Sequence, residues 1–203
     1  MTPQNLDVGG SVYYLSESEG WASGSVVRLD GTKIVVTPDG GGGAELSLSK
    51  SEVQIKGRLA KDGVKDMMAL DILHEGAIQE NIHARYQRDE IYTMVGPILI
   101  SVNPYKRLPL YGDDVMRRYA AAGAEAITTL DPHVYGTAAA AYAQMSARGT
   151  NQSILISGES GAGKTEATKV TLGIKTPLPR LRRRAFRLPL CFFWRYLHRS
   201  PSR

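Results

Sequence analysis

A glycine-rich loop at residues 158–165 constrains the fold of this chain more than any other feature. Its sequence, Gly158-Glu-Ser-Gly-Ala-Gly-Lys-Thr165, matches the pattern G-x-x-x-x-G-K-[ST], which arises by chance in about one chain in a hundred of this length. The apolar run at residues 153–156 predicts a short buried strand before the loop, and a helix is expected to begin near Gly163. A strand, a glycine loop and a helix in this order predict an α/β phosphate-binding unit, because the curled backbone and the helix N-terminus direct N–H groups toward an anion.

The residue types in this loop favour a nucleoside triphosphate over a mere glycine-rich turn. The candidate phosphate-binding residues are Gly158, Glu159, Ser160, Gly161, Ala162, Gly163, Lys164 and Thr165. The lysine ammonium would reach the β- and γ-phosphate oxygens, and the Thr165 hydroxyl would ligate a nucleotide-bound Mg²⁺. The pattern predicts phosphate binding and does not by itself predict hydrolysis.

Residues 1–57 have the pattern of a small all-β domain. Short β-favouring segments alternate with turns, and Asp30-Gly31 predicts a hairpin turn. The predicted strands are residues 11–15, 25–29, 33–37, 45–49 and 53–56. The four glycines at 40–43 are interpreted as a hairpin tip, since no helix follows them to bind phosphate. A small barrel or sandwich is expected.

Residues 58–172 change to the spacing of helices and buried strands. The apolar residues between 64 and 82 predict two short helices around Gly76, and residues 91–102 predict a strand interrupted at Gly96-Pro97. Two further helices are expected at residues 113–121 and 132–147, the second with Asp131 as its N-cap. With the phosphate loop, these elements predict an α/β nucleotide-binding core.

Charge and composition narrow the class of protein further. Nine of the 25 basic residues and none of the acids lie after residue 169, so residues 1–169 carry a net charge of −4 and offer no basic face for nucleic acid. The single cysteine, Cys191, excludes an internal disulfide framework, and the four histidines lack metal-ligand spacing. With no apolar segment long enough to span a bilayer and no signal peptide, an intracellular, cytoplasmic protein is expected.

Several segments, in the same order, resemble the myosin motor domain. The segment NQSILISGESGAGKTE at residues 151–166 is similar to its strand, P-loop and helix, and residues 73–105 and 131–142 are similar to the family upstream of that loop. The resemblance covers residues 58–172. It implies an actin-activated ATPase with ATP and Mg²⁺ as cofactors, actin filaments as partner and a place in the cytoskeleton. The strands before residue 58 resemble the Src-homology-3-like barrel that precedes many myosin motors.

A second segment, Asn103-Pro-Tyr-Lys-Arg-Leu-Pro-Leu-Tyr111, is similar to the purine-binding loop of the family. The resemblance implies that Asn103, Pro104, Arg107 and Tyr111 line the purine site. The residue types suit that role, because an amide can pair with an adenine edge and a tyrosine offers both a ring and a hydroxyl. Without the resemblance, a surface turn between a strand and a helix would be the simpler interpretation.

The resemblance also implies elements that these 203 residues do not contain. The family's two switch segments and its actin-binding regions would follow the P-loop, so the chain is expected to be an ATP-binding fragment that is inactive alone. Residues 173–203 are interpreted as a disordered basic tail outside the family, although a membrane-surface or nucleic-acid segment is an alternative. Two alternatives for the whole chain are another P-loop NTPase and a regulatory fragment that acts through its N-terminal barrel.

Overall fold

A computed structural model describes residues 6–17, 20–40, 43–57 and 62–173. The basic tail predicted from residue 173 therefore lies, except for Gly173 itself, outside the described residues. The chain forms two compact units. The first comprises the described residues up to 64 together with residues 69–84, and the second comprises residues 65–68 and those from 85 onward.

A curled antiparallel sheet of five strands forms most of the first unit. Its strands are β1 (Ser11–Ser16), β2 (Gly20–Asp30), β3 (Lys33–Pro38), β4 (Leu46–Ser49) and β5 (Val53–Ile55). Their order in the sheet is β4-β3-β2-β1-β5, with every neighbouring pair antiparallel. Gly31, at a φ of 57°, makes the tight turn between β2 and β3. All five predicted strands and the Asp30-Gly31 turn are confirmed.

The core of this sheet comes from β-branched residues that the strand pleat places inward. Val12, Val26, Ile34 and Val36 are each no more than 2% exposed, and full burial of a side chain of this size contributes about 1.5–3 kcal/mol. Because β1, β2, β3 and β5 each contribute at least one buried side chain to the same cluster, this small sheet has a continuous apolar core. The remaining members of this cluster are Tyr14 and Val53.

Helix α1 (Glu75–Tyr86) contributes residues 75–84 to the first unit. The prediction of two helices around Gly76 is wrong, because Gly76 lies in the first turn of α1 rather than between helices. A Cβ atom at this position would lie 2.7 Å from the Tyr13 Cγ, closer than packed atoms can approach. The glycine therefore permits the buried tyrosine ring to lie against the helix backbone.

In the second unit, residues 91–102 form a hairpin and the following chain forms helices. The elements are β6 (Tyr92–Val95), β7 (Ile98–Ser101), α2 (Asp113–Ala122), α3 (Ala126–Thr129), α4 (Val134–Arg148) and α5 (Lys164–Gly173). Gly96, at a φ of 55°, turns β6 back onto β7, which confirms the predicted interruption there. Buried residues from the hairpin, α4 and the segment before the P-loop share one core, with Met94, Leu99, Val134 and Ile154 among them.

Two local predictions in this unit are corrected. Helix α4 begins at Val134, with His133 rather than Asp131 as its N-cap, because the His133 ring accepts a hydrogen bond from the Tyr135 N–H. Residues 153–156 belong to neither sheet: Ile154 is buried, but Leu155 is 49% exposed. A strand needs a partner for its backbone hydrogen bonds, and within this segment only Leu155 forms an isolated bridge, which is too little to make a strand.

None of the helices in the described part of the chain combines the length and the apolar character that crossing a bilayer requires.

Candidate nucleotide-binding site

The glycine-rich loop precedes α5 directly, as its sequence predicts. Gly161 and Gly163 have φ values of 80° and 91°, a backbone conformation that residues with a Cβ atom rarely adopt. A Cβ added at either glycine would meet no atom within 4 Å, so the space beside these two glycines is open. Helix α5 begins at Lys164, and its first N–H groups lack partners within the helix. The loop thus presents open backbone and a helix N-terminus at one place.

The Lys164 side chain folds back onto this loop. Its Nζ atom donates to the carbonyl oxygens of Gly158 and Glu159, each at 2.7 Å. Two oxygen acceptors at hydrogen-bond distance are what the ammonium would find in a bound phosphate. The exposed Thr165 hydroxyl stands at the first turn of α5. The donor set of the loop therefore fits a phosphate group, with Thr165 available to a phosphate-bound Mg²⁺.

The segment predicted to bind a purine contacts the phosphate loop through its first residue. The Asn103 amide donates to the Gly161 carbonyl at 2.9 Å, and its Oδ1 atom accepts from the Tyr105 N–H at 2.9 Å. Tyr105 has a φ of 50° and is 76% exposed. The segment therefore turns sharply beside the loop. Pro104 is half-buried within this turn, and Arg107 is exposed.

The last residue of the same segment, Tyr111, belongs to a group of aromatic rings around His133. The Tyr111 hydroxyl and the Tyr92 hydroxyl are 2.8 Å apart, and the Tyr111 main-chain oxygen accepts from the Tyr135 hydroxyl at 3.4 Å. Tyr111 remains 40% exposed. One part of this side chain is thus anchored in the core while the rest is available to a ligand.

His133 holds the neighbouring main chain and is itself uncharged. Its Nδ1 atom accepts from the Tyr135 N–H at 3.0 Å, so the proton resides on Nε2, which donates to the Leu110 carbonyl at 3.1 Å. Burial lowers the pKa of His133 to about 4, and the hydrogen bond to Leu110 opposes that shift only in part. At neutral pH the ring is therefore a fixed, neutral donor.

Sequence reasoning missed His133 and Tyr92. The spacing of the histidines tests whether they could bind a metal, but it does not show whether one of them caps a helix. The position of His133 could have indicated the cap, because this residue directly precedes α4, where an N-cap is expected. Nothing local to Tyr92 indicates that its hydroxyl meets a tyrosine 19 residues later.

Comparison with known proteins decides the family. The family model for the myosin head (motor domain) matches residues 64–175, more than half of the chain. Myosin-6 of Arabidopsis thaliana is 43% identical over 169 residues, which cover 83% of this chain and 11% of that protein. Myosin-J heavy chain of Dictyostelium discoideum is 41% identical over 175 residues, which cover 84% of this chain and 8% of that protein.

The chain belongs to the myosin motor family. The matched residues include both the glycine-rich loop and the segment that ends at Tyr111, so this membership rests on the same residues that form the candidate site. The first unit, with its curled antiparallel sheet, lies mostly before the motor-domain match. The chain spans about a tenth of the length of the curated myosins that it matches.

Proposed function

We propose that these residues form the ATP-binding part of a myosin motor, whose family couples ATP hydrolysis to movement along actin filaments in the cytoskeleton. The observation that supports this most directly is the fit of the loop to phosphate, with Lys164 already paired to two oxygen atoms. The contact of Asn103 with Gly161 adds a second point of recognition beside it. Residues 158–165 would hold the phosphates, as the strand–loop–helix of an α/β core does in the family.

The base would lie against the segment that begins at Asn103 and ends at Tyr111. Asn103 supplies an amide, Tyr111 supplies a partly exposed ring, and Pro104 and Arg107 complete the proposed purine-binding set. Mg²⁺ bound to the phosphates supplies positive charge against the negative charge that develops during phosphoryl transfer. On this proposal the chain binds and orients the nucleotide from both of its ends.

The proposal predicts that Lys164→Ala weakens binding of Mg-ATP by at least tenfold. A charge-assisted hydrogen bond to phosphate contributes about 1.5–3 kcal/mol, and each 1.4 kcal/mol is a factor of ten. Isothermal titration calorimetry of the purified chain measures this directly. Lys169→Ala is the matched control, because Lys169 is on the same helix but pairs with Glu166 at 2.6 Å. Equal affinities for the wild type and both variants would exclude the loop as the binding site.

Hydrolysis is expected to need residues beyond the 203 of this chain. On the first turn of α5, the Glu166 carboxylate is 72% exposed and paired with Lys169 at 2.6 Å. Without groups that orient water and compensate charge, phosphoryl transfer loses factors on the order of 10³ or more. We therefore expect phosphate release at the background rate, with or without actin filaments. Actin-stimulated release from the pure chain would contradict this.

A further inference from the structure

The segment that carries Leu110 and Tyr111 is not fixed by close packing alone. Pro109 and Leu110 line a pocket of about 330 Å³ that is open to solvent, and His133 lines it as well. Leu110 packs against the core on its other side, and Pro109 is exposed, so protein surrounds this segment on one side only. Directed hydrogen bonds must then supply much of what keeps this main chain in place.

His133 supplies such a bond. Its Nε2–H donates to the Leu110 carbonyl at 3.1 Å, and its Nδ1 atom caps α4 through Tyr135. One rigid ring therefore ties the segment to the start of a helix. Because the ring is 6% exposed, water cannot readily replace either bond, and loss of either leaves a buried group unpaired.

The ring also contacts the side chain that is proposed to meet the base. The ring centroids of Tyr111 and His133 are 5.7 Å apart, and those of Tyr92 and His133 are 4.9 Å apart in an edge-on arrangement. Tyr92 in turn bonds the Tyr111 hydroxyl. His133 thus acts on Tyr111 by two routes, through the adjacent main chain and through the ring of Tyr92.

We propose that His133 is a positioning residue for the base end of the nucleotide site, holding the Leu110 main chain and the Tyr111 ring where a purine can use them. This inference rests on the proposed ATP binding. It assigns to His133 an effect on recognition of the base and none on recognition of the phosphates, which are the task of Lys164 and its loop.

Two substitutions separate the bonds of His133. In His133→Asn the Oδ1 atom can still accept from the Tyr135 N–H, but the donor to Leu110 is lost. In His133→Gln the Nε2 donor is retained, and the cap is lost. Both variants remove the ring; His133→Asn keeps only the cap, and His133→Gln keeps only the bond to Leu110. Tighter ATP binding by His133→Gln than by His133→Asn therefore reports the bond to Leu110. His83→Asn, at an exposed position of α1, controls for loss of a histidine.

Titration calorimetry at neutral pH compares Mg-ATP with Mg-tripolyphosphate, which has the phosphates without the base. We expect His133→Asn to weaken ATP binding about three- to tenfold, the range of one net hydrogen bond, and to leave tripolyphosphate within about twofold of wild type. His133→Gln should weaken ATP binding less than His133→Asn does, because it loses the ring contacts but keeps the donor to Leu110. His83→Asn should keep both affinities within about twofold of wild type. If His133→Asn does not fold by circular dichroism, Tyr92→Phe takes its place, with ATP alone weakened.

The outcomes discriminate between the proposals. Equal weakening of ATP and tripolyphosphate in His133→Asn would show a general structural role and overturn the inference, as would unchanged ATP affinity. Weakening by His133→Gln as large as that by His133→Asn would overturn it too, since the Leu110 bond would not be responsible. A wild-type chain that binds neither ligand would refute the proposed function itself, and the inference with it.

Discussion

Arg85 and His133 are both basic and both buried, and the second unit accommodates them in different ways. Arg85 stays charged: its guanidinium bonds the Thr93 hydroxyl, the Tyr92 carbonyl and the Glu90 carboxylate at 3.0, 2.9 and 2.8 Å. His133 meets only neutral groups and gives up its charge instead. A buried charge is tolerated when its donors have acceptors. The imidazole can instead lose its proton at little cost, because its ordinary pKa is close to neutrality.

The neutral state of His133 predicts a specific acid sensitivity. Its pKa is depressed in the folded chain, so the stability that it contributes is complete above pH 6.5, the ordinary pKa, and is lost as the pH falls toward about 4. Between pH 6.5 and about 4, the free energy of unfolding falls by up to about 1.4 kcal/mol for each pH unit. We expect the free energy of unfolding to fall by about 1–2 kcal/mol more between pH 7 and 5 in wild type than in His133→Gln.

Urea denaturation at both pH values, followed by the near-ultraviolet circular dichroism of the tyrosines, measures the difference. The rings of Tyr92, Tyr119 and Tyr135 that face His133 remain neutral in this range, because burial raises the pKa of each. The hydrogen bond from Lys65 lowers the pKa of Asp131 below its ordinary value, so this carboxylate remains ionised throughout the range from pH 7 to pH 5. An equal loss of stability in both proteins would mean that His133 is not the responsible group.

At the scale of elements, two helices carry a glycine for different reasons. In α1, Gly76 has the Cγ and Cβ atoms of Tyr13 2.7 and 3.0 Å from where its Cβ would lie. In α4, the nearest atoms to a Cβ at Gly136 are those of Tyr119 at 3.6 Å, an ordinary van der Waals distance. Glycine is therefore required by packing in the first helix and is replaceable in the second.

Alanine substitutions should consequently change stability in opposite directions. Gly76→Ala should destabilise by about 1–3 kcal/mol, because the ring of Tyr13 is buried and cannot move aside. Gly136→Ala should stabilise by up to about 1 kcal/mol, since alanine loses less backbone entropy in a helix. Thermal and urea unfolding of both variants provide the measurement. Stabilisation by Gly76→Ala would show that the helix and β1 do not pack in this way.

The elements that the sequence predicts correctly are those with a local cause. Alternating β-branched residues and the Asp30-Gly31 turn define β1 to β5, and the spacing of glycines, lysine and threonine defines the loop before α5. The errors have causes that lie far away in sequence. Gly76 is required inside a helix because the Tyr13 ring packs against it and leaves no room for a Cβ atom. His133 caps α4 with a ring that also bonds the Leu110 carbonyl. The strand expected at 153–156 depends on neighbours that no local pattern supplies.

At the scale of the whole molecule, the two units have separate cores, one in the curled sheet and one around α4. Residues 75–84 of α1 belong with the sheet through Glu80, which accepts a hydrogen bond from the Tyr13 hydroxyl and pairs with Lys56 at 2.7 Å. The pKa of Tyr13 is raised by burial and by this carboxylate. The first unit therefore extends past residue 57, the boundary at which the sequence pattern changes.

Glu80→Ala should loosen the first unit specifically. Removal of the carboxylate leaves the Tyr13 hydroxyl and the Lys56 ammonium without this partner, and a bond of a buried group to a charge contributes about 1.5–3 kcal/mol. Amide hydrogen exchange should accelerate in β1, β5 and residues 76–84. The amides of α4 in the same sample provide the internal reference. Uniform acceleration throughout the chain would show that the two units unfold together.

The Lys164 ammonium already donates hydrogen bonds to the carbonyl oxygens of Gly158 and Glu159. An anion that binds Lys164 must therefore replace these bonds. Two main-chain oxygens already replace part of the hydration of the ammonium, so an incoming ion must displace them. A multiply charged phosphate is a stronger acceptor than two neutral carbonyls, whereas chloride carries a single charge and forms weaker hydrogen bonds. If the proposed function holds, the lysine would act as a threshold: dilute polyphosphate would displace its internal ligands, and the abundant simple salts of the surrounding solution would leave them in place.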